Sequence, residues 1–219
     1  KVMGLAPYGQ PKYKDTIYRN LIDVKEDGSF KLNMEYFNYC TGLTMTNSRF
    51  DTLFEGHLPR GKTEKLEKRH MDIARSVQEV IEEVVLRIVK NLSKETGEKN
   101  LCMAGGVALN CVANGKILRS STFERLWIQP ASGDAGGALG VALAINHLFS
   151  DKTREIPSDI DGMQGAYLGP QYENSQIETV LKKYKAVYKV LDENEVVSLA
   201  VSSLGEGKVL GWFQGRMEF

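Results

Sequence analysis

Asn-Leu-Cys-Met-Ala-Gly-Gly-Val-Ala-Leu-Asn at residues 100 to 110 and Leu-Trp-Ile-Gln-Pro-Ala-Ser-Gly-Asp-Ala-Gly-Gly-Ala-Leu-Gly at residues 126 to 140 follow one order of residue types. In each, an apolar run too brief for a helix meets glycines, and a helical pattern comes after. Asn100 to Ala104 predicts a buried strand ending in a tight turn at Gly105-Gly106, with a helix following over about 108 to 119. Leu126 to Ile128 predicts a second strand, 129 to 134 a loop, and 136 to 149 a helix whose small residues let it pack close against a sheet. Strand, glycine turn and helix, twice in succession, place the chain in the α/β class.

Upstream, Ile73, Val77, Val80, Ile81, Val84, Ile88 and Leu92 recur at three- and four-residue steps. They predict a long helix over Thr63 to Asn91, with Glu and Lys on its other face and Gly97 as its stop. Lys1 to Arg60, rich in Gly, Pro, Asn and Tyr, predicts loops with short elements, one of them around Tyr13 to Ile22. Downstream, charges, Pro157 and glycines rise from Ser150 to Gly165 as in a linker, which puts a domain boundary near residue 160. Beyond it the patterns predict helices over 174–184 and 194–204 and strands over 187–191 and 209–214, the opening of a second domain.

With 219 residues, 42% apolar and 26% charged, the composition is that of an ordinary soluble protein and excludes disorder and collagen-like structure. The longest apolar runs, Val84 to Val89 and Ala138 to Ile145, fall well short of the ~18 residues of a membrane span. Twenty-eight basic residues balance 28 acidic ones, so the charge gives no support to a nucleic-acid partner. Cys40, Cys102 and Cys111 are odd in number and form no C-x-x-C, which excludes a disulfide framework or zinc ribbon and makes a reducing cytoplasm the expectation. The chain begins at Lys1 without an initiator methionine and closes on a pattern of a strand running into a loop, so it is expected to be an internal piece of a longer protein.

Few motifs offer chemistry. Gly205-Glu206-Gly207-Lys208 lacks the earlier glycine and the following Ser or Thr of a P-loop and reads as a turn before a strand. Asn91-Leu92-Ser93 has the glycosylation pattern without a secretory signal. His57, His70 and His147 show no paired spacing, so surface or satisfied-core roles are expected. At 104 to 110, two glycines between strand and helix let phosphate oxygens approach the backbone, with the N–H groups of the helix start favouring negative charge and Asn110 on the first turn facing the ligand side. A plain strand-to-helix turn fits the same spacing. Asp134, in a glycine-rich loop at a helix start, either caps that helix or holds a divalent metal beside a phosphate. Both loops fall at the carboxyl ends of neighbouring strands, where open α/β sheets bind ligands.

Four ordered segments are spread from one end of the chain to the other: Lys-Val-Met-Gly-Leu-Ala-Pro-Tyr-Gly at 1 to 9, Met-Ala-Gly-Gly-Val-Ala-Leu-Asn at 103 to 110, Gln-Pro-Ala-Ser-Gly-Asp-Ala-Gly-Gly-Ala-Leu-Gly at 129 to 140, and Gly-Trp-Phe-Gln-Gly-Arg-Met-Glu-Phe at 211 to 219. They resemble the successive signatures of the NodU/CmcH O-carbamoyltransferases, a family similar in fold to actin and the sugar kinases (ASKHA). The resemblance implies that residues 1–160 are the C-terminal part of an actin-like nucleotide-binding domain and 161–219 the incomplete start of a YrdC-like domain. It implies an ATP-dependent enzyme that makes carbamoyl adenylate from carbamoyl phosphate and passes the carbamoyl group to a hydroxylated small molecule or glycan beside a bound iron (Fe2+), with Mg2+ accompanying ATP.

By matching position, Gly105, Gly106 and Asn110 become nucleotide contacts, Asp134 a metal ligand, and Arg216 a contact to carbamoyl phosphate. The family's metal-binding histidines fall before Lys1 and most of its YrdC-like domain after Phe219, so the piece alone is expected to be inactive. Two other readings stand beside this one. They are a carbamoyl-type modification of tRNA, which the neutral charge disfavours, and a noncatalytic nucleotide-binding module with an actin-like switch.

Overall fold

In the computed structural model the described residues are 2–56, 60, 61, 63–150, 153 and 161–218; His57 and the boundary expected near residue 160 lie outside them. The chain divides into two units, Lys1–Asp151 and Lys152–Phe219. In the first the elements run α1 (Val2–Leu5), a 3-10 turn (Ala6–Tyr8), α2 (Lys14–Asn20), β1 (Ile22–Val24), β2 (Phe30–Leu32), a 3-10 turn (Met34–Tyr36), α3 (Ser48–Thr52) and α4 (Lys68–Thr96). Then come β3 (Asn100–Met103), a 3-10 turn (Gly106–Leu109), α5 (Cys111–Arg119), β4 (Arg125–Ile128), α6 (Asp134–Ala144) and a π turn (Ile145–Phe149).

Helix α4 organises this unit. Its 29 residues, about 43 Å at 1.5 Å per residue, begin at Lys68 rather than Thr63 because Glu67 is extended (φ −114°, ψ 168°) and caps the helix in a reciprocal box with His70. Gly97, in the left-handed conformation at φ 65°, ends it as expected. The buried residues are Asp72, Ala74, Ser76, Gln78, Val80, Glu82, Val84 and Val89. Two residues along a helix turn through about 200°, so this alternation means burial on two opposite faces. The expectation of one apolar face opposed by solvated Glu and Lys is thereby corrected, since the helix is sandwiched and both faces carry buried polar groups.

One face meets the N-terminal segment. Val80 and Val84 join Tyr13, Ile17, Leu21 and Phe54 in a buried cluster, with Tyr13 and Phe54 edge to face at 5.4 Å. Two polar residues on that face satisfy backbone groups: Asp72 accepts from Gln10 N–H at 2.8 Å, and Ser76 accepts from Tyr13 N–H at 3.0 Å while donating to Asp72 C=O at 2.6 Å. The antiparallel hairpin of β1 and β2 pairs Ile22 with Leu32 and Val24 with Phe30 beside this cluster. The opposite face packs Val89 against Leu101, Ile117 and Phe123.

Burial and a hydrogen bond to the Glu83 carboxylate push the Tyr18 hydroxyl up to about 12. A raised folded value means that the stabilisation is complete below the ordinary tyrosine value of 10 and is lost as pH rises through about 12. The tyrosinate absorbance that distinguishes wild type from Tyr18→Phe should therefore appear last in an alkaline titration. Its appearance together with the exposed tyrosines would contradict the buried Tyr18–Glu83 bond.

Strands β3 and β4 pair in parallel, Leu101 opposite Leu126 and Met103 opposite Ile128, the α/β arrangement the sequence predicts. The helix expected from 108 begins instead as a 3-10 turn at Gly106 and becomes α5 only at Cys111, because Asn110 takes the cap position between them. Helix α6 starts two residues before the expected 136, and the π turn carries it to 149. None of its residues is buried, so the close packing against a sheet expected of it is not seen among the described residues.

The second unit holds a 3-10 turn (Gln164–Ala166), α7 (Asn174–Lys183) and α8 (Glu193–Gly205), both helices where expected and both opened by capping boxes. The strands expected over 187–191 and 209–214 do not form among the described residues. Val187 and Val209 are fully exposed. A strand exists only through a hydrogen-bonded neighbour, and β-rich residues without one stay unpaired. Gly169 N–H donates to Met217 C=O at 2.8 Å and Met217 N–H to Pro170 C=O at 3.1 Å, which ties the two ends of the unit together.

Candidate functional site

The two glycine loops leave the carboxyl ends of adjacent parallel strands. Gln129 N–H donates to Met103 C=O at 3.1 Å, extending the ladder by one bond, and Gly105 N–H donates to Ser132 C=O at 2.7 Å, joining loop to loop. Gly105 makes the turn possible at φ 96°, a conformation that a side chain would strain. The 3-10 turn that follows leaves Gly106 and Val107 N–H without intrahelical acceptors, and the start of α6 does the same for Asp134 and Ala135. Two sets of free N–H groups therefore flank one hydrogen-bonded junction.

Space above the junction is open. A Cβ built on Gly105, Gly106, Gly133 or Gly137 would meet no atom within 4 Å. Gly136 differs, since its Cβ would fall 1.9 Å from Ala131 C=O, and that glycine serves the close folding of the loop onto α6. Beside the open glycines, Ser132 is 5% exposed and its hydroxyl has no partner, and Gln129 Oε1 is likewise buried and unpaired. A buried hydroxyl without a partner is uncommon, and an anionic ligand in the open space would accept from Ser132, whereas Gln129 Oε1, itself an acceptor, calls for a donor. Backbone donors, glycines and the unpaired Ser132 hydroxyl fit the phosphates of a nucleotide.

Asn110 caps α5, its Oδ1 accepting from Ala113 N–H at 3.1 Å and from Gln78 Nε2 at 3.0 Å while its Nδ2 donates to Gln78 Oε1 at 2.9 Å. Asn110 is thus half-buried and held by α4, and Gln78 in turn donates to Glu82, which pairs with Lys116 of α5. The sequence reading missed Gln78 and Glu82. Their four-residue spacing on α4 was legible, but nothing in the periodicity marks that face as buried. The N-terminal segment also reaches this end of the unit, where Met3 Sδ and Cys111 Sγ lie 3.8 Å apart.

Asp134 is the first residue of α6 and is exposed; Gly133 holds the cap position without a side-chain bond. Among the described residues the Asp134 side chain has no hydrogen bond or ion pair, and no group of three or more His, Cys, Asp or Glu residues converges. His70 Nδ1 accepts from Glu67 N–H while its Nε2 is buried without a partner, and His147 Nδ1 in the π turn after α6 is buried and unpaired too, so neither is the surface or satisfied-core histidine expected. For a divalent cation these residues offer one carboxylate, which makes part of a site and no more. Arg216, in the second unit, is exposed and donates one bond to Gly169 C=O at 2.8 Å, leaving the rest of its guanidinium free for an anion.

The three cysteines are free and exposed, and no helix among the described residues is long and apolar enough to cross a membrane. Comparison with known proteins matches residues 1–143 to the family described as Carbamoyltransferase N-terminus. An uncharacterized protein of Synechocystis sp. is 53% identical over the whole chain, which covers 36% of that protein. Nodulation protein NolO of Bradyrhizobium diazoefficiens is 32% identical and Nodulation protein NolNO of Sinorhizobium fredii 34% identical, again over the whole chain, which covers 37% and 30% of them. The chain spans about a third of the length of these relatives. With its glycine loops and Asp134 inside the matched segment, the chain belongs to the carbamoyltransferase N-terminus family, whose members include relatives of the NodU/NolO type.

Proposed function

We propose that the protein containing this chain transfers a carbamoyl group from carbamoyl phosphate, through carbamoyl adenylate made with ATP, to a hydroxyl of a small molecule or glycan. The first unit then supplies the phosphate side of an actin-like nucleotide site, and the second opens a YrdC-like domain in which the adenylate is made. The observation that carries this reading is the bond from Gly105 N–H to Ser132 C=O, which places two glycine loops together where α/β folds bind phosphorylated ligands. Membership of the carbamoyltransferase family supports the transferred group. A reducing cytoplasm and no nucleic-acid partner belong to the same proposal, on the odd number of cysteines and the balanced charge of the sequence.

Each residue has a stated part. Gly105 and Gly106 let phosphate oxygens come against backbone N–H groups, and Asn110 adds a side-chain donor. Arg216 receives carbamoyl phosphate, its planar fork suited to an oxyanion. Asp134 contributes one ligand to a divalent cation, ferrous iron in this reading, with further ligands from outside the described residues. When bound, that cation supplies Lewis-acid polarisation. In the transfer the acceptor oxygen bonds to the carbamoyl carbon, the bond from that carbon to the adenylate oxygen breaks, and the hydroxyl proton departs to water or a base.

The test uses the full-length protein. Pyrophosphate should be released from ATP only when carbamoyl phosphate is present. Gly106→Val should weaken ATP binding by about 10- to 100-fold, the worth of one hydrogen bond to a charged group, while changing stability by no more than about 1 kcal/mol because its Cβ meets open space. Pyrophosphate release indifferent to carbamoyl phosphate would remove the donor from the scheme, and unchanged ATP affinity in Gly106→Val would remove the phosphate cradle.

A further inference from the structure

Gln78 and Glu82, each 2% exposed, stand one helical turn apart on the face of α4 that meets the start of α5. Burial of a carboxylate and an amide is costly unless every bond is made, and here the bonds run in a single sense. Lys116 Nζ is ion-paired with Glu82 Oε2, and an ionised carboxylate can only accept. Gln78 therefore turns its amino group to Glu82 Oε1 at 2.8 Å, and the same nitrogen donates to Asn110 Oδ1 at 3.0 Å, so both of its hydrogens are used. Gln78 Oε1 then accepts from Asn110 Nδ2 at 2.9 Å, and Asn110 Oδ1 is filled by the Ala113 N–H as well. One hydrogen of Asn110 Nδ2 remains without a partner among the described residues.

We propose that Gln78 is a positioning residue which, oriented by Glu82 and Lys116, fixes the Asn110 amide so that it offers a ligand an N–H donor and no acceptor. A fixed donor at the end of the 3-10 turn that follows Gly105 selects an anionic oxygen, such as a phosphate, over a ligand N–H group. The inference rests on the reading of Asn110 as a nucleotide contact and adds the three residues that set its polarity. It also gives a physical reason for a carboxylate in the interior of α4. The charge of Glu82, shared with Lys116, sets the sense of a chain of bonds that ends two elements away.

The experiment measures, by calorimetry on the full-length protein, affinity for ATP and for adenosine in wild type, Gln78→Met and Glu82→Gln. Gln78→Met keeps side-chain length and removes both bonds to Asn110; Glu82→Gln is isosteric and removes only the group that forces the orientation of Gln78. ATP affinity should fall by about three- to tenfold in Gln78→Met, the worth of a neutral hydrogen bond, and by a smaller factor in Glu82→Gln. Adenosine affinity should stay within about twofold in both, because the loss falls on the phosphates alone. Wild-type ATP affinity in both variants, or equal losses for ATP and adenosine, would overturn the proposal by assigning these residues to structure only. Failure of the wild-type protein to bind ATP would instead overturn the nucleotide reading beneath it.

Discussion

Full-length protein carrying Asp134→Asn is expected to lose its carbamoyl-transfer rate by at least about a hundredfold and its divalent metal with it, while unfolding with nearly wild-type stability. The two halves of this expectation have separate causes. Asp134 stands at the first position of α6, exposed, with Gly133 in the cap position and no side-chain hydrogen bond or ion pair of its own among the described residues. Its only structural contribution is a negative charge at a helix start, worth roughly 0.3–1 kcal/mol. Asparagine has the same shape and lacks the charge that a hard cation requires. Even loss of an outer-sphere partner of a metal costs about 10- to 100-fold, so loss of a direct ligand should reach at least the upper end. Elemental analysis and transfer assays on the same preparation decide the matter: a variant with full metal content and full rate would return Asp134 to the role of a helix-start charge.

How much of this was legible in the residues differs from element to element. The parallel pair β3 and β4, with its glycine turns, followed from two short apolar runs ending in glycine, because strand length and glycine position are local properties. The long helix was legible, and so was its stop at Gly97. Its second buried face was not, because Gln78 and Glu82 look like a solvated face until α5 is laid over them. Hydrophobic periodicity counts apolar residues, and a polar residue buried against a partner gives no such signal. The strands expected over 187–191 and 209–214 show the converse error. β-propensity proposes a strand, yet only a neighbouring strand makes one, and neither segment has one among the described residues. For the candidate site, residue types alone left Asn110 open between ligand contact and turn, and the structure adds that it is a helix cap held by α4.

Gly9 and Gly4 differ in the room each leaves for a side chain, and the second large effect follows from that difference. Gly9→Ala is expected to destabilise the protein by about 3 kcal/mol or more, a size that overpacking reaches only where the neighbour cannot move. At Gly9 a Cβ would lie 1.9 Å from the carbonyl oxygen of Met71, 2.3 Å from its carbon and 2.7 Å from the nitrogen of Asp72. All three atoms are backbone of α4, fixed by the helix ladder, so no rotamer change relieves the contact. Relief requires the 3-10 turn at Ala6–Tyr8 to lift off the helix, which breaks the bond from Gln10 N–H to Asp72 and strains that from Tyr13 N–H to Ser76. Those bonds hold the whole segment from α1 to α2 against one face of α4. Gly4, in α1, supplies the control, because its Cβ would meet nothing within 4 Å and alanine favours a helix over glycine by about 1 kcal/mol. In urea unfolding of the full-length protein, Gly9→Ala should therefore move the midpoint sharply down, and Gly4→Ala should leave it unchanged or raise it. Equal midpoints for the two variants would mean that the N-terminal segment does not dock on α4 through Gly9, and that the face bearing Asp72 and Ser76 is covered in some other way.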